Sequence, residues 1–190
     1  MSKVKLISVT PNYLELLKVA CSKPYGNSVG LKGIQNIIAS GHLSILEHCS
    51  ASFDVGCSVR VLGQLTRHRH LSFTVKSARG CAFDDMVLPD GLVADKVDAM
   101  ANYYAAVDLD ETLEDAAYLS PQGALTSMVV SGNFRAWYEY LPKRLCARAL
   151  PEHQEVAQGI LKELQKAAPE VFEGNFMNCE NCKERSCSFK

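Results

Sequence analysis

The spacing of hydrophobic and polar positions predicts a strand followed by a helix at the start of the chain. Residues 4–9 largely alternate polar side chains with valine, leucine and isoleucine, which is typical of a strand with one exposed face. Asn12 can cap a helix that places Leu14, Leu17 and Ala20 on one face. The amino-terminal segment therefore predicts a strand packed beside an amphipathic helix.

The alternating spacing typical of strands and the three-to-four-residue spacing typical of helices both recur in the following segments. Residues 31–39 predict a helix that ends at Gly41, a residue suited to the end of a helix. Residues 51–57 predict a second strand, and residues 59–65 return to helical spacing. This short helix leads into Arg67, so we expect the basic residues around Arg67 to begin at a helix end and continue in a loop.

The second half of the chain is mainly helical in its pattern. We predict helices over residues 92–107, 111–118 and 133–147, and a long final helix from Pro151 to about residue 168, because proline suits the first turn of a helix. Residues 124–130 form a small-residue and β-branched stretch. The chain is therefore expected to be an α+β protein, a single mixed α/β domain with a central sheet and flanking helices.

Composition narrows the class of protein. With 190 residues and 47% hydrophobic content, the chain can bury a full core. A net charge of -1 does not favour bulk nucleic-acid binding. No apolar run approaches the ~20 residues of a membrane span, and the amino terminus lacks the pattern of a secretory signal. These features predict a soluble cytoplasmic protein.

Eight cysteines fall into two groups. Five lie in apolar or mixed segments and are expected to be free thiols of the core in a reducing compartment: Cys21, Cys49, Cys57, Cys81 and Cys146. The other three are Cys179, Cys182 and Cys187, in a polar tail. Their spacing is compatible with zinc ligands, with redox pairing or with reduced thiols, and because no fourth ligand is evident nearby we assign no metal.

The most informative segment is residues 64–79, QLTRHRHLSFTVKSAR. Arg67, Arg69 and Arg79 each offer five N–H donors in a rigid fork that suits phosphate or carboxylate. So much positive charge in a nearly neutral chain predicts a local site for an anionic small molecule. A further basic run, Arg135, Lys143, Arg144 and Arg148, lies on a predicted helix, where a solvated basic face is the simpler interpretation.

Two common enzyme classes do not fit the sequence. A hydrolase built from Ser77, His68 and Glu47 lacks the Gly-x-Ser-x-Gly turn, and nothing in the spacing brings His68 to Ser77. The glycine-rich motifs of P-loop and dinucleotide-binding proteins are also absent. Without a base to activate it, Ser77 is expected to act as a hydrogen-bonding ligand.

The motifs resemble those of the flavin-dependent thymidylate synthases. The family signature is Arg-His-Arg, seven residues and Ser, and the chain has it from Arg67 to Ser77. The segments HLSILEH, EDAAYLSPQG, Asn133-x-Arg135 and RLCARALPEHQE follow the family's other blocks in order. Colinear blocks are far more specific than any one motif. The resemblance implies a flavin-dependent thymidylate synthase-like domain over residues 1–172, followed by a cysteine-rich tail over residues 173–190.

The resemblance also implies an activity and a set of partners. Family members methylate dUMP to dTMP with methylenetetrahydrofolate as carbon donor and NADPH as reductant. They are homotetramers that hold FAD where subunits meet, and their active sites are shared between chains. The reduced cofactor carries the hard chemistry, while the protein supplies orientation and charge.

Carried over residue by residue, the resemblance implies two groups of binding residues and one catalytic residue. The nucleotide is expected to contact Gln64, Arg67, Ser77, Ala78, Arg79 and Arg144. The flavin or folate is expected to contact His42, Ser44, Arg67, His68, Arg69, Asn133, Arg135 and Glu139. Arg144 is the expected catalytic residue, because a guanidinium beside the uracil ring stabilises the negative charge that activates C5.

The chain departs from the family's pattern at Val75, Gly80, Ala117, Glu139 and Arg148. Ala117 stands where the family usually has an arginine that helps to bind the nucleotide. Substrate specificity lies at such positions, so two alternatives stay open. One is a C5-methylase that acts on UMP or another pyrimidine nucleotide, and the other is a homologue that binds nucleotide or flavin without turnover.

Overall fold

The computed structural model describes residues 3–24, 26–109, 112–177, 179 and 182–188. Its framework is an antiparallel sheet of four strands: Lys3–Val9 (β1), Ser50–Ser58 (β2), Leu71–Val75 (β3) and Leu125–Asn133 (β4). The strand order is β1-β2-β4-β3. The predicted mixed α/β fold with a central sheet is therefore confirmed.

The helices pack mainly against one face of this sheet, the face on which alternate residues of β2 and β4 are buried. The α-helices in the described part of the chain are Tyr13–Ser22 (α1), Leu31–Ala39 (α2), Val59–Leu65 (α3), Lys96–Asp108 (α4), Leu113–Ala116 (α5), Phe134–Arg144 (α6), Pro151–Ala167 (α7) and Pro169–Phe172 (α8). Shorter 3-10 helices span Leu43–His48, Asp90–Asp95 and Ala117–Leu119. No helix of the described residues is both long and apolar enough to cross a membrane.

One large hydrophobic core joins the sheet to α6 and α7. Alternate residues of β2 and β4, such as Phe53 and Val130, are fully buried and pack with Trp137 of α6 and Ile160 of α7. Gly159 of α7 approaches β1 so closely that a Cβ atom there would lie 3.0 Å from Val4. A smaller hydrophobic cluster is formed by Met100 and Tyr103 of α4, Ala116 of α5 and residues of the segment before them, Phe83 and Met86.

Trp137 fixes α6 to the sheet. Its ring lies edge-on to Phe53, with the centroids 5.0 Å apart, and it is fully buried. Its indole N–H lies 3.1 Å from the carbonyl oxygens of Ala51 on β2 and Gly132 on β4. A single side chain therefore ties the helix to two strands, in position and in rotation about the helix axis.

Most of the predicted elements are confirmed. The strands predicted over residues 4–9 and 51–57 are β1 and β2, and the helices over 31–39 and 59–65 are α2 and α3. Gly41 follows α2 with a φ of 83°, a left-handed conformation that glycine adopts without steric cost. Periodicity was sufficient here because each element buries one face.

Several boundaries differ from the predictions. Asn12 precedes α1, but its backbone is left-handed and its side chain makes no capping bond. The segment after Arg67 is not only a loop, because β3 forms within it by pairing with β4. The small-residue and β-branched stretch at 124–130 is the main part of β4, which extends to Asn133.

Most of the predicted helices of the second half are shorter than expected. The helix at 92–107 begins at Lys96, after a 3-10 helix. Of the prediction for 111–118, Glu111 lies outside the described residues, and the rest forms α5 and a 3-10 turn. The helix at 133–147 ends at Arg144. The last helix, predicted from Pro151 to about residue 168, is confirmed: it ends at residue 167, because Ala168 precedes Pro169 and leaves the helical conformation.

The cysteine prediction is partly wrong. Cys21, Cys49 and Cys57 are buried free thiols, as expected. Cys81 is exposed, because it lies in the turn after Ser77 instead of in an element that packs on the core, and Cys146 is only half-buried in the segment after α6. Burial raises the pKa of Cys49 to about 11 and that of Cys57 to about 12, so these thiols are inert at neutral pH.

Replacing Trp137 with Phe tests the role of the indole N–H. We expect Trp137→Phe to lower the free energy of unfolding by about 1–3 kcal/mol, because it removes a buried donor that two backbone carbonyl groups share. Urea denaturation followed by circular dichroism measures this change. The matched control is Tyr138→Phe on the same helix, since the Tyr138 hydroxyl has no hydrogen bond within the described residues. Equal stability of the two variants would contradict the assigned role.

Candidate functional site

Helix α6 carries candidate residues at both of its ends. Asn133 caps the helix, because its side-chain oxygen accepts the backbone N–H of Ala136 at 2.8 Å. Arg135 lies in the first turn, and Arg144 is the last residue of the helix. A helix of 11 residues spans roughly 16 Å. The helix therefore sets the distance between two clusters of functional side chains.

At the amino end of α6, Arg135 joins two carboxylates. Its Nε atom donates to Glu139 at 2.9 Å, and a terminal nitrogen donates to Glu47 at 2.5 Å. These hydrogen bonds raise the pKa of Arg135, Glu139 first and Glu47 second. Glu47 belongs to the 3-10 helix Leu43–His48, which packs against α6. The predicted cofactor residues Arg135 and Glu139 are thus in direct contact.

His42 and Ser44 lie on the segment that carries Glu47. His42 immediately precedes the 3-10 helix Leu43–His48 and Ser44 is its second residue, and both are exposed. The ion pair between Glu47 and Arg135 holds this segment beside the start of α6. The structure therefore places these two predicted residues at the amino end of α6, on the surface.

At the carboxyl end of α6, Arg144 holds the signature segment. Its Nε atom donates to Nε2 of His68 at 2.8 Å, and a terminal nitrogen donates to the backbone oxygen of Gln64 at 3.3 Å. The ring of His68 lies edge-on to Tyr140, one turn earlier on α6, at 4.8 Å. Arg144 is half-buried, so the interpretation of the basic run as a solvated face is wrong for this residue.

The contact with Arg144 requires a neutral imidazole at His68, because Nε2 must carry a lone pair to accept an N–H. Burial, together with the positive charges of Arg144 and Lys143, lowers the pKa of His68 to about 4. At neutral pH the guanidinium is therefore held by an uncharged acceptor and keeps its full charge for a ligand.

A pocket of about 260 Å³ opens beside this contact. It is lined by Arg67, His68, Arg69, His70, Leu71, Ala136, Glu139 and Lys143. Arg67, Arg69 and Lys143 have exposed side chains. The signature segment and α6 thus form a positively charged pocket that suits an anionic ligand. A larger pocket, of about 630 Å³, opens elsewhere on the molecule, against β1, β2 and β4; Lys76 lines it, but Arg67, His68, Arg69 and Ser77 do not.

Ser77, Ala78 and Arg79 are placed apart from this pocket. The five residues of β3 span roughly 17 Å between Arg69 and Ser77. Ser77 accepts the backbone N–H of Arg79 at 3.3 Å, and the Arg79 side chain pairs with Glu114 at 3.0 Å. Ala78 packs against the smaller hydrophobic cluster. None of the three lines the pocket that contains Arg67 and His68.

These positions exclude the hydrolase arrangement. His68 contacts Arg144, Glu47 contacts Arg135, and Ser77 lies at the far end of β3. The three side chains therefore do not form a nucleophile, base and acid in sequence, as a catalytic triad requires.

Sequence interpretation missed a buried histidine beneath the site. His153 on α7 is fully buried, and its ring lies 3.3 Å from the Gln64 side-chain oxygen and 3.2 Å from the Tyr140 hydroxyl. The available signal was its spacing, since His153 shares the buried face of α7 with Val156, Ala157, Ile160 and Leu164. A polar residue on such a face usually has a hydrogen-bonding partner.

The cysteine-rich tail lies near the end of α6. Arg148 pairs with Glu184 at 3.5 Å, and the Phe176 ring packs edge-on against Tyr138 at 4.9 Å. Cys179 and Cys182 are exposed. Among the described residues, no group of three or more His, Cys, Asp or Glu side chains is arranged to hold a metal ion.

Comparison with known proteins identifies the family. The model of the family described as thymidylate synthase complementing protein matches residues 5–170. The flavin-dependent thymidylate synthases of Pyrococcus furiosus and Saccharolobus solfataricus are each 32% identical to the chain, over 71% and 77% of its length. The aligned part covers 62% and 61% of those two relatives. The Pyrococcus horikoshii enzyme of the same name is 30% identical over 87% of this chain and 80% of its own.

Two solved structures share the fold. Thymidylate synthase X from Helicobacter pylori, solved with FAD and dUMP, superposes with a TM-score of 0.78 at 22% identity, over 92% of this chain and 100% of its own. A UMP/dUMP methylase from Streptomyces cacaoi superposes with a TM-score of 0.79 at 19% identity, over 91% and 94%. With a family model that matches most of its length and relatives about 30% identical, the chain belongs to the thymidylate synthase complementing protein family, which is the family of the flavin-dependent thymidylate synthases.

Proposed function

We propose that this protein is a flavin-dependent thymidylate synthase that methylates dUMP to dTMP, with methylenetetrahydrofolate as carbon donor and NADPH as reductant. The observation that carries the proposal is the fixed guanidinium of Arg144, held by His68 and the Gln64 backbone beside the signature pocket. The family to which the chain belongs supports the same reaction.

Arg144 is the proposed catalytic residue. Its guanidinium has five N–H donors, and its two contacts with His68 and Gln64 use two of them. The rest of the fork can face the pyrimidine ring and stabilise the negative charge that develops when C5 becomes a nucleophile. Because protein contacts already orient the group, little reorganisation is needed when the charge appears.

The donors around α6 fit FAD. Exposed Arg67, Arg69 and Lys143 suit a diphosphate, while Asn133 and the Arg135–Glu139 pair offer polar groups at the other end of the helix. His42, Ser44 and His68 complete the proposed cofactor contacts. Bound flavin would supply the hydride and relay the methylene carbon. The chain's own part is to bind the cofactor and orient it against the nucleotide.

The nucleotide site is proposed to be shared between subunits of a homotetramer. In one chain, Ser77, Ala78 and Arg79 lie beyond β3, away from Arg67 and Arg144. The ion pair between Arg79 and Glu114 is exposed, and such pairs contribute ~0–1 kcal/mol, so a nucleotide phosphate can compete for Arg79. Tyr118 and Leu119 nearby are 88% and 53% exposed, which supports burial against another subunit.

The remaining expectations on organisation are proposals of the same kind. Residues 1–172 form the thymidylate synthase-like unit and residues 173–190 a separate tail, attached by the contacts of Phe176 and Glu184. Buried free thiols at Cys21, Cys49 and Cys57 support a cytoplasmic location. The tail is proposed to hold no metal of its own.

A second candidate is the same chemistry on UMP or another pyrimidine nucleotide. Ala117 provides no guanidinium at the position where the family usually has one, and it starts the 3-10 turn beside α5, which carries Glu114. A changed contact at this position would alter nucleotide binding and with it the choice of substrate. A homologue that binds without turnover agrees less well with the structure, because binding alone does not require the guanidinium of Arg144 to be oriented by His68 and Gln64.

The first prediction from the proposed function concerns cofactor and substrate. We expect the purified protein to bind FAD and, with methylenetetrahydrofolate and NADPH, to convert dUMP to a product 14 mass units heavier, since a methyl group replaces one hydrogen (a ~14 Da gain). Mass spectrometry of the nucleotide after incubation with dUMP or UMP measures this. Methylation of UMP alone would favour the second candidate, and a protein that takes up no FAD would contradict both.

The second prediction concerns Arg144. We expect Arg144→Gln to lower kcat for methyl transfer by about 10²–10³-fold, because it removes the charge that stabilises the activated ring. The visible absorbance of bound flavin should not change. Lys162→Gln, an exposed position on α7, is the matched control for loss of one positive charge. Wild-type turnover by Arg144→Gln would refute the catalytic role.

The third prediction concerns the neutral state of His68. Its pKa in the fold, about 4, lies below the unfolded value of ~6.5, so the unfolded chain binds more protons as the pH falls below 6.5. The stability contributed by neutral His68 is therefore present above pH 6.5 and lost towards pH 4. Because the ring is partly exposed, we expect a loss of roughly 1 kcal/mol between pH 7 and 5 from this residue.

Urea denaturation at pH 7, 6 and 5 measures this effect in the wild type and in His68→Asn. Asparagine retains an acceptor but does not titrate, so we expect the variant to lose about 1 kcal/mol less stability than the wild type over the same range. His42→Asn, at an exposed histidine, serves as the control. Parallel curves for wild type and His68→Asn would show that His68 is not held neutral.

A further inference from the structure

His153 is a buried polar residue with a partner at each ring nitrogen. It is the third residue of α7 and is fully buried. Nδ1 lies 3.3 Å from Oε1 of Gln64, and Nε2 lies 3.2 Å from the hydroxyl of Tyr140. Gln64 is half-buried at the end of α3, three residues before Arg67, and its backbone oxygen accepts an N–H from Arg144. His153 therefore lies directly behind a residue of the candidate site.

The hydrogen-bond partners determine which atoms carry protons. Burial, together with the positive charge of Arg144, lowers the pKa of His153 to about 3, so the ring is neutral at pH 7. A neutral imidazole has one donor and one acceptor. Either Nδ1 donates to Gln64 and Nε2 accepts from Tyr140, or both directions are reversed.

The Tyr140 hydroxyl decides between these arrangements. It is buried, and His153 is its hydrogen-bond partner among the described residues. If Nε2 donated to Tyr140, the buried hydroxyl proton would have no acceptor, and leaving a buried donor unsatisfied is costly. If Tyr140 donates to Nε2, every buried donor in the group has an acceptor. Nδ1 then carries the proton and requires an oxygen from Gln64.

The orientation of the Gln64 side chain follows from this proton arrangement. With its oxygen bound to Nδ1–H of His153, the Gln64 amide keeps its NH2 group as a donor for another partner. Rotation of the amide by 180° would set NH2 against N–H, so the alternative orientation is disfavoured. The Gln64 side chain is thus fixed as a donor, in the residue whose backbone oxygen accepts an N–H from Arg144.

We propose that His153 is a positioning residue that determines base specificity, by holding Gln64 as a donor towards the oxygen at C4 of the pyrimidine. This inference rests on the proposed function, in which the ligand is a uridine nucleotide. Uracil has a carbonyl oxygen at C4 and accepts the amide N–H. Cytosine has an amino group there, which would meet a second donor, and a site with an unpaired polar group rejects such an analogue.

The test measures discrimination in binding, which does not require turnover. The dissociation constants of dUMP and dCMP are measured for the FAD-loaded protein by calorimetry. We expect the wild type to bind dCMP at least about tenfold more weakly than dUMP, the factor that corresponds to about one hydrogen bond. If the wild type binds neither nucleotide, the proposed function is wrong, whereas equal binding of both would overturn only the role of His153 and Gln64.

Two amide variants separate the two ends of the imidazole. The side-chain NH2 of asparagine lies near the position of Nδ1, so His153→Asn can still donate to Gln64. Glutamine reaches the position of Nε2, so His153→Gln contacts Tyr140 and releases Gln64. We expect His153→Asn to keep the ratio of dCMP to dUMP dissociation constants within about threefold of the wild type, and His153→Gln to lower it at least about fivefold.

Further variants distinguish positioning from a general effect on packing. Tyr140→Phe combined with His153→Leu removes both polar partners, avoids an orphaned hydroxyl and should also abolish discrimination. Leu164→Ala creates a cavity in the buried face of the same helix and should leave the ratio unchanged. The proposal is overturned if His153→Gln and the double variant retain the wild-type ratio, or if Leu164→Ala lowers it as much as they do.

Discussion

The placement of the candidate site depends on the indole N–H of Trp137. Its bonds to the carbonyl oxygens of Ala51 and Gly132 attach α6 to two adjacent strands, and its ring packs against Phe53 in the centre of the core. Hydrogen bonds are directional whereas the hydrophobic effect is not, so this shared donor adds a constraint on position and rotation to the packing of the helix. Because α6 is fixed in this way, the side chains at both of its ends have defined positions relative to the sheet.

The two ends of α6 use charge differently. At the start of the helix, Arg135 is neutralised by Glu47 and Glu139, so its main effect is to order polar groups and the preceding segment. At the end of the helix, Arg144 is bound by the neutral ring of His68 and by a backbone oxygen, and no carboxylate opposes its charge in these contacts. This difference separates a structural ion pair from a cation that is available to stabilise charge on a substrate. The exposed Arg67, Arg69 and Lys143 add to this charge at the signature pocket, which suits an anionic ligand.

In the described part of one chain, several of the proposed flavin-binding residues lie together, whereas the proposed nucleotide-binding residues are divided between two places. Arg67, His68 and Arg69 meet α6 in one pocket, while Arg79 lies at the other end of β3 in an exposed pair with Glu114. Strand β3 is extended and held by its pairing with β4, so its two ends cannot meet within one chain. A site that requires both ends is naturally completed by a second subunit, in agreement with the proposed tetramer.

The sequence by itself determined the family, the order of most elements and the candidate functional residues, because these depend on local spacing and on motifs along the chain. Periodicity identified β1, α2 and β2 but missed β3, whose strand depends on pairing with β4 more than fifty residues away. Tertiary structure alone decided which motif residues meet: Arg144 with His68, and Arg135 with Glu47, but not Ser77 with His68. It also revealed His153, since a histidine becomes informative only when burial forces both of its nitrogens to find partners.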